Sequence, residues 1–292
     1  MEEIKIQLEK SGFNLDNKKG YYVNEFFLSE FTLDANQTWS KLAKKKSPIY
    51  AAAASNSKDP FVKGIPNIIK ENLPKKNDLI LDAGCGYGRL AIPIAKYNND
   101  FRIVAVDASN VMLKYFASLV EENQNEINKE NIFLVNCGID SLPFSSNTFD
   151  YIYSSAVLLH NPYSNIDRII SEWKRILKPS GIIILSNSFP SLYNFNGIIS
   201  YLYLKFGKKK LKSLNGPVRP FTRKMVSTLF SDWENVDIFP SGTLFIPKGI
   251  GRLKLPFNKR LKLINNLLSK LKNKYFIDSE IFSRELNVIA RK

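Results

Sequence analysis

The residues best placed to do chemistry in this chain are two aspartates, three glycines and one histidine. Residues 79–90 read Leu-Ile-Leu-Asp-Ala-Gly-Cys-Gly-Tyr-Gly-Arg-Leu. A short apolar strand over 79–81 turns at Asp82 into Gly84, Gly86 and Gly88, and a helical run is expected over 89–96. Glycines on alternate residues accept positive φ and let a ligand approach the backbone. The start of the following helix is expected to offer free N–H groups to a negative ligand group. A second apolar strand, 101–106, ends in Asp107, 25 residues after Asp82. That spacing holds one helix and a return strand. A carboxylate at such a strand tip can accept from the two vicinal hydroxyls of a ribose. Its alternative is a helix N-cap, a role that Ser109 also suits. His160, the only histidine, could act as a general base if the substrate offers a hydroxyl or a protonated amine. A local loop hydrogen bond is its other reading.

The dinucleotide fingerprint Gly-x-Gly-x-x-Gly fails from Gly84, because Arg89 occupies the third position, and from Gly86 it passes only in its Gly/Ala variant through Ala91. What stands here is Asp-x-Gly-x-Gly-x-Gly followed by a strand-terminal Asp, which resembles the class I S-adenosylmethionine-dependent methyltransferases over about residues 75–190. The resemblance implies S-adenosylmethionine as cofactor. Asp107 and Ala108 would then lie at the ribose, and the loop of Gly84, Cys85, Gly86 and Gly88 at the methionine part. Asp82 would orient the ammonium of that part, directly or through water, and the Ser154 carbonyl would face the same ammonium. The segment Cys137-Gly-Ile-Asp-Ser-Leu-Pro-Phe144 resembles the adenine-binding loop of that family. The family's acidic residue often falls where Gly138 stands, so Asp140 and the Gly138–Ile139 backbone are both candidates for the base contact. No metal site is expected, since one histidine excludes a His-rich cluster.

These residues need a scaffold, and the pattern supplies one. Apolar strands at 79–81, 101–106, 131–136, 149–154 and 181–185 alternate with amphipathic helices over 109–125 and about 162–177. Ser164 and Asp167 are placed to cap the second of these, and Lys178–Gly181 to stop it. Alternation of this length implies a parallel sheet covered on both faces. The expected fold is α/β, a doubly wound, mostly parallel, seven-stranded Rossmann-like sheet with an N-terminal helical cap and C-terminal insertions. The expected organisation is a cap or lid over 1–74 and a domain over 75–292, with acceptor-binding insertions at about 189–220 and 240–284. In this family the N-terminal segment usually covers the cofactor, which brings in Trp39 and Tyr50. Residues 193–206 are apolar and aromatic, which motivates a lipophilic acceptor. Helix 221–230 and strands 236–239 and 285–290 complete the pattern.

The 292 residues are 44% hydrophobic, enough for a substantial core. The first ten residues carry three glutamates and no apolar block, so no secretory signal is expected. No apolar run approaches the roughly 20 residues of a membrane span. Cys85 and Cys137 do not make a disulfide framework and are expected to stay thiols in a reducing cytoplasm. The net charge of +15 is unevenly placed: residues 200–292 hold 20 Lys and Arg against 6 Asp and Glu, a net of +14. Such a region suits an anionic membrane surface or an acidic partner, and it leaves the protein cytoplasmic or peripheral to a membrane. A stripe over 261–275, Leu261, Ile264, Leu268, Leu271 and Tyr275 within lysines, reads as an ordinary packed helix or as an interfacial one. The expected activity is methyl transfer to O, N or C of a small, lipophilic metabolite, with a small-molecule acceptor as partner. The alternative is an RNA or protein methyltransferase that uses the basic third; no recognisable RNA-binding module supports nucleic acid.

Overall fold

A computed structural model describes residues 1–24, 37–44, 67–206, 218–243, 267, 270 and 283–292. The chain divides into two compact units. The first holds Met1–Ser155, Ser164–Ile184 and Arg291–Lys292, and the second Ala156–Tyr163 and Leu185–Ala290.

The first unit is a twisted, mostly parallel sheet. Its strands are β1 (Asn14–Asp16), β2 (Tyr21–Val23), β3 (Leu79–Ala83), β4 (Arg102–Asp107), β5 (Ile132–Asn136), β6 (Phe149–Ser155) and the first half of β7 (Leu177–Pro190). They lie side by side in the order β1-β2-β5-β4-β3-β6-β7. β3 is central because all five of its residues are buried, as a strand covered on both faces requires. Its register pairs Asp82 with Ala105 and with Tyr153. Asp150 pins the start of the sheet: its carboxylate accepts the Leu79 N–H at 2.9 Å and the Lys178 ammonium at 2.9 Å.

Helices α4 (Ala91–Tyr97), α5 (Asn110–Glu122) and α6 (Tyr163–Ile176) connect these strands. α5 starts where Ser109 caps it, its hydroxyl accepting the Met112 N–H at 3.3 Å. α6 buries Ile166, Ile169, Ile170, Trp173 and Ile176, the expected stripe. Its start differs from expectation: Ser164 lies inside the helix, and its hydroxyl meets Asn165 at 3.2 Å instead of capping. The helix ends at Ile176, just ahead of Lys178–Gly181, which itself lies in the next strand. β7 begins immediately at Leu177, because Ser180 and Gly181 pair with the Lys292 backbone at 3.0 and 3.1 Å.

Seven strands were expected, and nine exist among the described residues. The two additional strands come from the first 24 residues. Helix α1 (Glu2–Lys10) buries Ile4 and Leu8, and the β1–β2 hairpin that follows adds β2 in parallel to β5. Helix α2 (37–44) and the single turn α3 (Asn67–Lys70) are what is described of the remaining N-terminal segment. Tyr50 lies outside the described residues.

The second unit continues β7 and sets it beside β9 (Ser283–Arg291), with β8 (Glu234–Thr243) outermost. Helix α7 (Phe195–Phe206) and helix α8 (Arg223–Leu229) belong to it. Thr222 caps α8 by accepting the Met225 N–H at 3.2 Å. Phe189, Phe221, Phe230 and Trp233 form its aromatic core, with ring pairs 5.0–6.5 Å apart. The stripe over 261–275 lies outside the described residues apart from Leu267 and Lys270.

Candidate functional site

The first unit brings Asp82 and Asp107 together around the glycine turn at the ends of β3 and β4. Gly84, Gly86 and Gly88 all have positive φ, between 56° and 84°, which explains why the turn takes glycine. Gly88 carries a second constraint. A Cβ there would stand 2.4 Å from the Phe116 ring of α5, so this glycine serves helix packing.

The loop's N–H groups are almost all spent on the protein itself. Gly84 and Cys85 donate to the Val106 carbonyl at 2.9 and 3.0 Å, and Gly88 donates to Cys85 at 3.0 Å. Gly86 donates to the Asp107 carboxylate at 2.8 Å, and Ser109 donates to its other oxygen at 2.8 Å. The helix start was expected to offer free N–H groups, and one of them, the Ile92 N–H, is taken by the Gly88 carbonyl at 3.1 Å. Within the glycine loop a pyrophosphate would find few backbone donors left to bind it.

What the site does offer is negative. Asp82 is 2% exposed, and its Oδ2 is buried with no hydrogen-bond partner. Burial pushes its carboxyl up to about 7; Arg89 opposes the rise and the Asp107 charge adds to it. Burial also raises Asp107, against the Ser109 and Gly86 N–H groups that favour its charged form. An unpartnered buried carboxylate oxygen is costly, and a cationic donor relieves that cost. The Arg89 guanidinium donates instead to Ser155 Oγ at 2.9 Å. The half-buried Asp107 retains lone pairs beyond the two backbone bonds, so hydroxyl donors can still use it.

Residues beyond the motif shape this corner. Asn136, at the end of β5, donates to the Asp107 and Ala108 carbonyls at 3.0 and 3.1 Å. Ser40 of α2 meets Ser109 Oγ at 2.9 Å and Asn110 Oδ1 at 3.2 Å. Helix α2, which carries the half-buried Trp39, therefore reaches the Asp107 turn. Neither contact is encoded by a local signal, since Ser40 and Ser109 are 69 residues apart. Ser154 donates its hydroxyl to the Ala83 carbonyl at 2.7 Å, which ties β6 to the end of β3.

The candidate adenine loop is equally bound down. Gly138, Ile139 and Asp140 are all buried. Trp173 Nε1 donates to the Ile139 carbonyl at 3.0 Å, and the Asp140 carboxylate is ion-paired with Arg168. The Asp140 side chain is thus a structural anchor whatever its role toward a base. Cys85 and Cys137 are buried free thiols, both shifted upward by burial. Among the described residues no group of His, Cys, Asp and Glu is arranged to hold a metal ion. No helix among them is long and apolar enough to cross a membrane.

His160 belongs to the second unit, in a helical turn over Leu158–His160. Arg219 grips this turn twice: its N–H donates to the Leu159 carbonyl at 3.0 Å and its Nη1 to the His160 carbonyl at 2.9 Å. Tyr163 Oη donates to the Pro220 carbonyl at 2.6 Å. Ala156, just before the turn, has φ of 60° and donates to the Ser186 carbonyl at 3.1 Å. Arg219 had no signal in the sequence, since it lies 59 residues from His160.

Known proteins resemble this chain in the same region. A family model described as a methyltransferase domain matches residues 80–181. Two curated relatives are similar over more of the chain. The ubiquinone/menaquinone biosynthesis C-methyltransferase of Rickettsia prowazekii is 29% identical, over 52% of this chain and 62% of its own. The ribosomal RNA small subunit methyltransferase A of Wigglesworthia glossinidia brevipalpis is 27% identical, over 78% of this chain and 84% of its own. The chain spans about two fifths of the length of the first curated relatives it matches. A crystal structure of a SAM-dependent methyltransferase from Methanosarcina mazei is similar with a TM-score of 0.51 at 18% identity, covering 77% of this chain and 96% of that one. At that identity the likeness shows the fold.

Proposed function

Because the chain carries a class I S-adenosylmethionine-dependent methyltransferase domain, we propose that it moves the cofactor's methyl group to an oxygen, nitrogen or carbon atom of a small, lipophilic metabolite. The observation that carries the cofactor half is Asp82: a buried carboxylate with an unpartnered oxygen, beside a loop whose N–H groups are spent. That polarity fits the ammonium of the cofactor's methionine part and disfavours a phosphate. Asp107 would take the ribose hydroxyls while holding Gly86 and Ser109, with Ala108 beside it. Gly84, Cys85, Gly86 and Gly88 would form the wall for the methionine part, with the Ser154 carbonyl near the ammonium. Gly138, Ile139 and Asp140 would border the adenine. The bound cofactor supplies a methyl activated by its sulfonium, so the protein's task is alignment and exclusion of water.

The acceptor half rests on residues 189–206, whose exposed side chains are mainly apolar and aromatic, and on the resemblance to a quinone-pathway C-methyltransferase. His160 is proposed as the base for a hydroxyl or amine acceptor, held in place by Arg219. In that role His160→Ala lowers kcat while the cofactor Kd stays unchanged. The buried thiols of Cys85 and Cys137 suit a reducing, cytoplasmic setting. A second reading, an RNA acceptor, is favoured by the net +14 over residues 200–292 and by the resemblance to a ribosomal RNA methyltransferase.

Incubation with methyl-labelled S-adenosylmethionine and extracts split into lipid, polar-metabolite, RNA and protein fractions separates the readings. Label in a lipid or metabolite fraction, lost in Asp107→Ala, supports the first. Label in RNA establishes the second. Tight cofactor binding with no label in any fraction refutes both.

A further inference from the structure

We propose that the second unit docks on an anionic lipid bilayer through helix α7, which enters the headgroup boundary with Ile198, Ile199, Tyr201, Leu202 and Leu204. These five side chains are 38–48% exposed. At about 100° per residue they cover more than half of the helix circumference. A helix on an ordinary soluble surface carries mainly charges there, whereas Lys205 is the one charged residue within this arc, and largely apolar exposed patches mark interaction sites.

The helix is rigidly rooted at one end. Asn194, 3% exposed, donates to the Ser191 and Ser283 carbonyls at 2.9 and 2.8 Å and accepts the Gly197 N–H at 3.0 Å. Gly197 packs so closely that a Cβ would stand 2.1 Å from the Ser191 carbonyl oxygen. The apolar arc is therefore held outward by built contacts.

Charge identifies the occupant. No Asp or Glu lies between Glu172 and Asp232, while Lys205, Lys208, Lys209, Lys210, Lys212, Arg219, Arg223 and Lys224 fall within that stretch. Lys205 sits on the same helix, its ammonium 6.0 Å from the centre of the Tyr201 ring. Arg223, Lys224 and Ser227 line a cleft of about 510 Å³ together with the apolar Tyr193, Phe230, Val236 and Ile238. An apolar helix face flanked in sequence by lysines and by no acidic residue has the composition of an interfacial anchor. A second copy of the chain would bring like charges together. A nucleic acid would leave the aliphatic side chains uncovered, since stacking needs aromatic faces. Each basic residue near an anionic surface strengthens partition by roughly fivefold.

This docking goes beyond the methyl-transfer reading and does not rest on it, so its test contains no cofactor. The full chain is floated with vesicles of phosphatidylcholine, or of phosphatidylcholine with about 40% phosphatidylglycerol, at about 0.1 M salt, where surface charge still acts over about 10 Å. The wild type is expected to partition onto the anionic vesicles at least roughly tenfold better than onto the neutral ones. I198Q/L202Q and, separately, I199Q/L204Q are expected to lose roughly tenfold of that partition with unchanged melting temperature. Equal flotation of a folded variant and the wild type overturns the proposal, as does failure of the wild type to float. A solution dimer that both variants convert to monomer, with vesicle partition unaltered, overturns it in favour of a second copy. Variant-sensitive RNA binding without vesicle binding overturns it in favour of nucleic acid.

Discussion

Asp82 makes the cofactor site a proton-linked one. Its carboxyl is raised from an ordinary 3.8 to about 7 by burial, so at neutral pH it is half ionised. An ammonium against it requires the charged form, and binding must therefore expel a proton. The apparent Kd scales with one plus the ratio of protonated to ionised Asp82. With a pKa near 7, that factor is about 1.3 at pH 7.5 and about 30 at pH 5.5. Affinity should thus fall about 25-fold over that window, a little under 2 kcal/mol. The sign for folding is opposite to that of a salt-bridged carboxylate. The folded pKa lies above the unfolded one, so this group costs nothing below pH 4. Its cost grows from there to pH 7, and above that it stays near about 4 kcal/mol until a cation binds.

Isothermal titration calorimetry of S-adenosylmethionine across pH 5.5–7.5, in buffers of different ionisation enthalpy, reads both quantities. At pH 7 about half a proton should be released per cofactor bound. Asp82→Asn should bind weakly, show no proton release from this site and have a flat profile. Wild-type affinity that changes less than twofold over the window, or a slope that survives in Asp82→Asn, refutes the assignment of Asp82 to the ammonium.

Gly88→Ala places a Cβ 2.4 Å from the Phe116 ring at a φ of 84°. It should cost about 2–5 kcal/mol by urea unfolding, with partial recovery in Gly88→Ala/Phe116→Ala. Asp107→Ala strands the buried-side N–H groups of Gly86 and Ser109, so it should lose about 2–4 kcal/mol of stability as well as cofactor affinity. Asp107→Asn should keep more of the stability than of the affinity. Arg168→Gln leaves the Asp140 carboxylate, whose side chain is 1% exposed, without its cation. The exposed guanidinium limits the cost to about 1–3 kcal/mol. Because Asp140 sits in the candidate adenine loop, the cofactor Kd should rise in the same titration.

Much of the first unit was legible in the chain because its signals are local. Asp82 and the glycines form one turn, and five apolar runs spaced by amphipathic helices leave a parallel sheet as the arrangement that buries both faces. Asp107 at the end of β4 follows from strand length. Ser109 as the cap of α5 follows from residue type. The +14 of the last third is a matter of counting, as is the absence of acidic residues between Glu172 and Asp232.

Tertiary structure decided the rest, because it depends on partners distant in sequence. The glycine turn reads as an anion cradle until the Val106 carbonyl and the Asp107 carboxylate are seen taking its N–H groups, which turns the site's preference toward a cation. Asp140 and the Gly138–Ile139 backbone read alike as candidates for the adenine, and only the fold shows that the Asp140 carboxylate is also paired with Arg168. Asn136, Ser40 and Arg219 have no local signature, since each acts on a backbone or hydroxyl group 28 to 69 residues away. The N-terminal hairpin escaped the count of strands because three-residue strands are too short to show a period, and only pairing with β5 defines β2. The same holds for α7. Its apolar residues read as part of an acceptor-binding insertion in sequence, and only the rooting of Asn194 and Gly197 leaves them facing outward. A residue's type sets what it can bond to; which partner reaches it first is set by the fold.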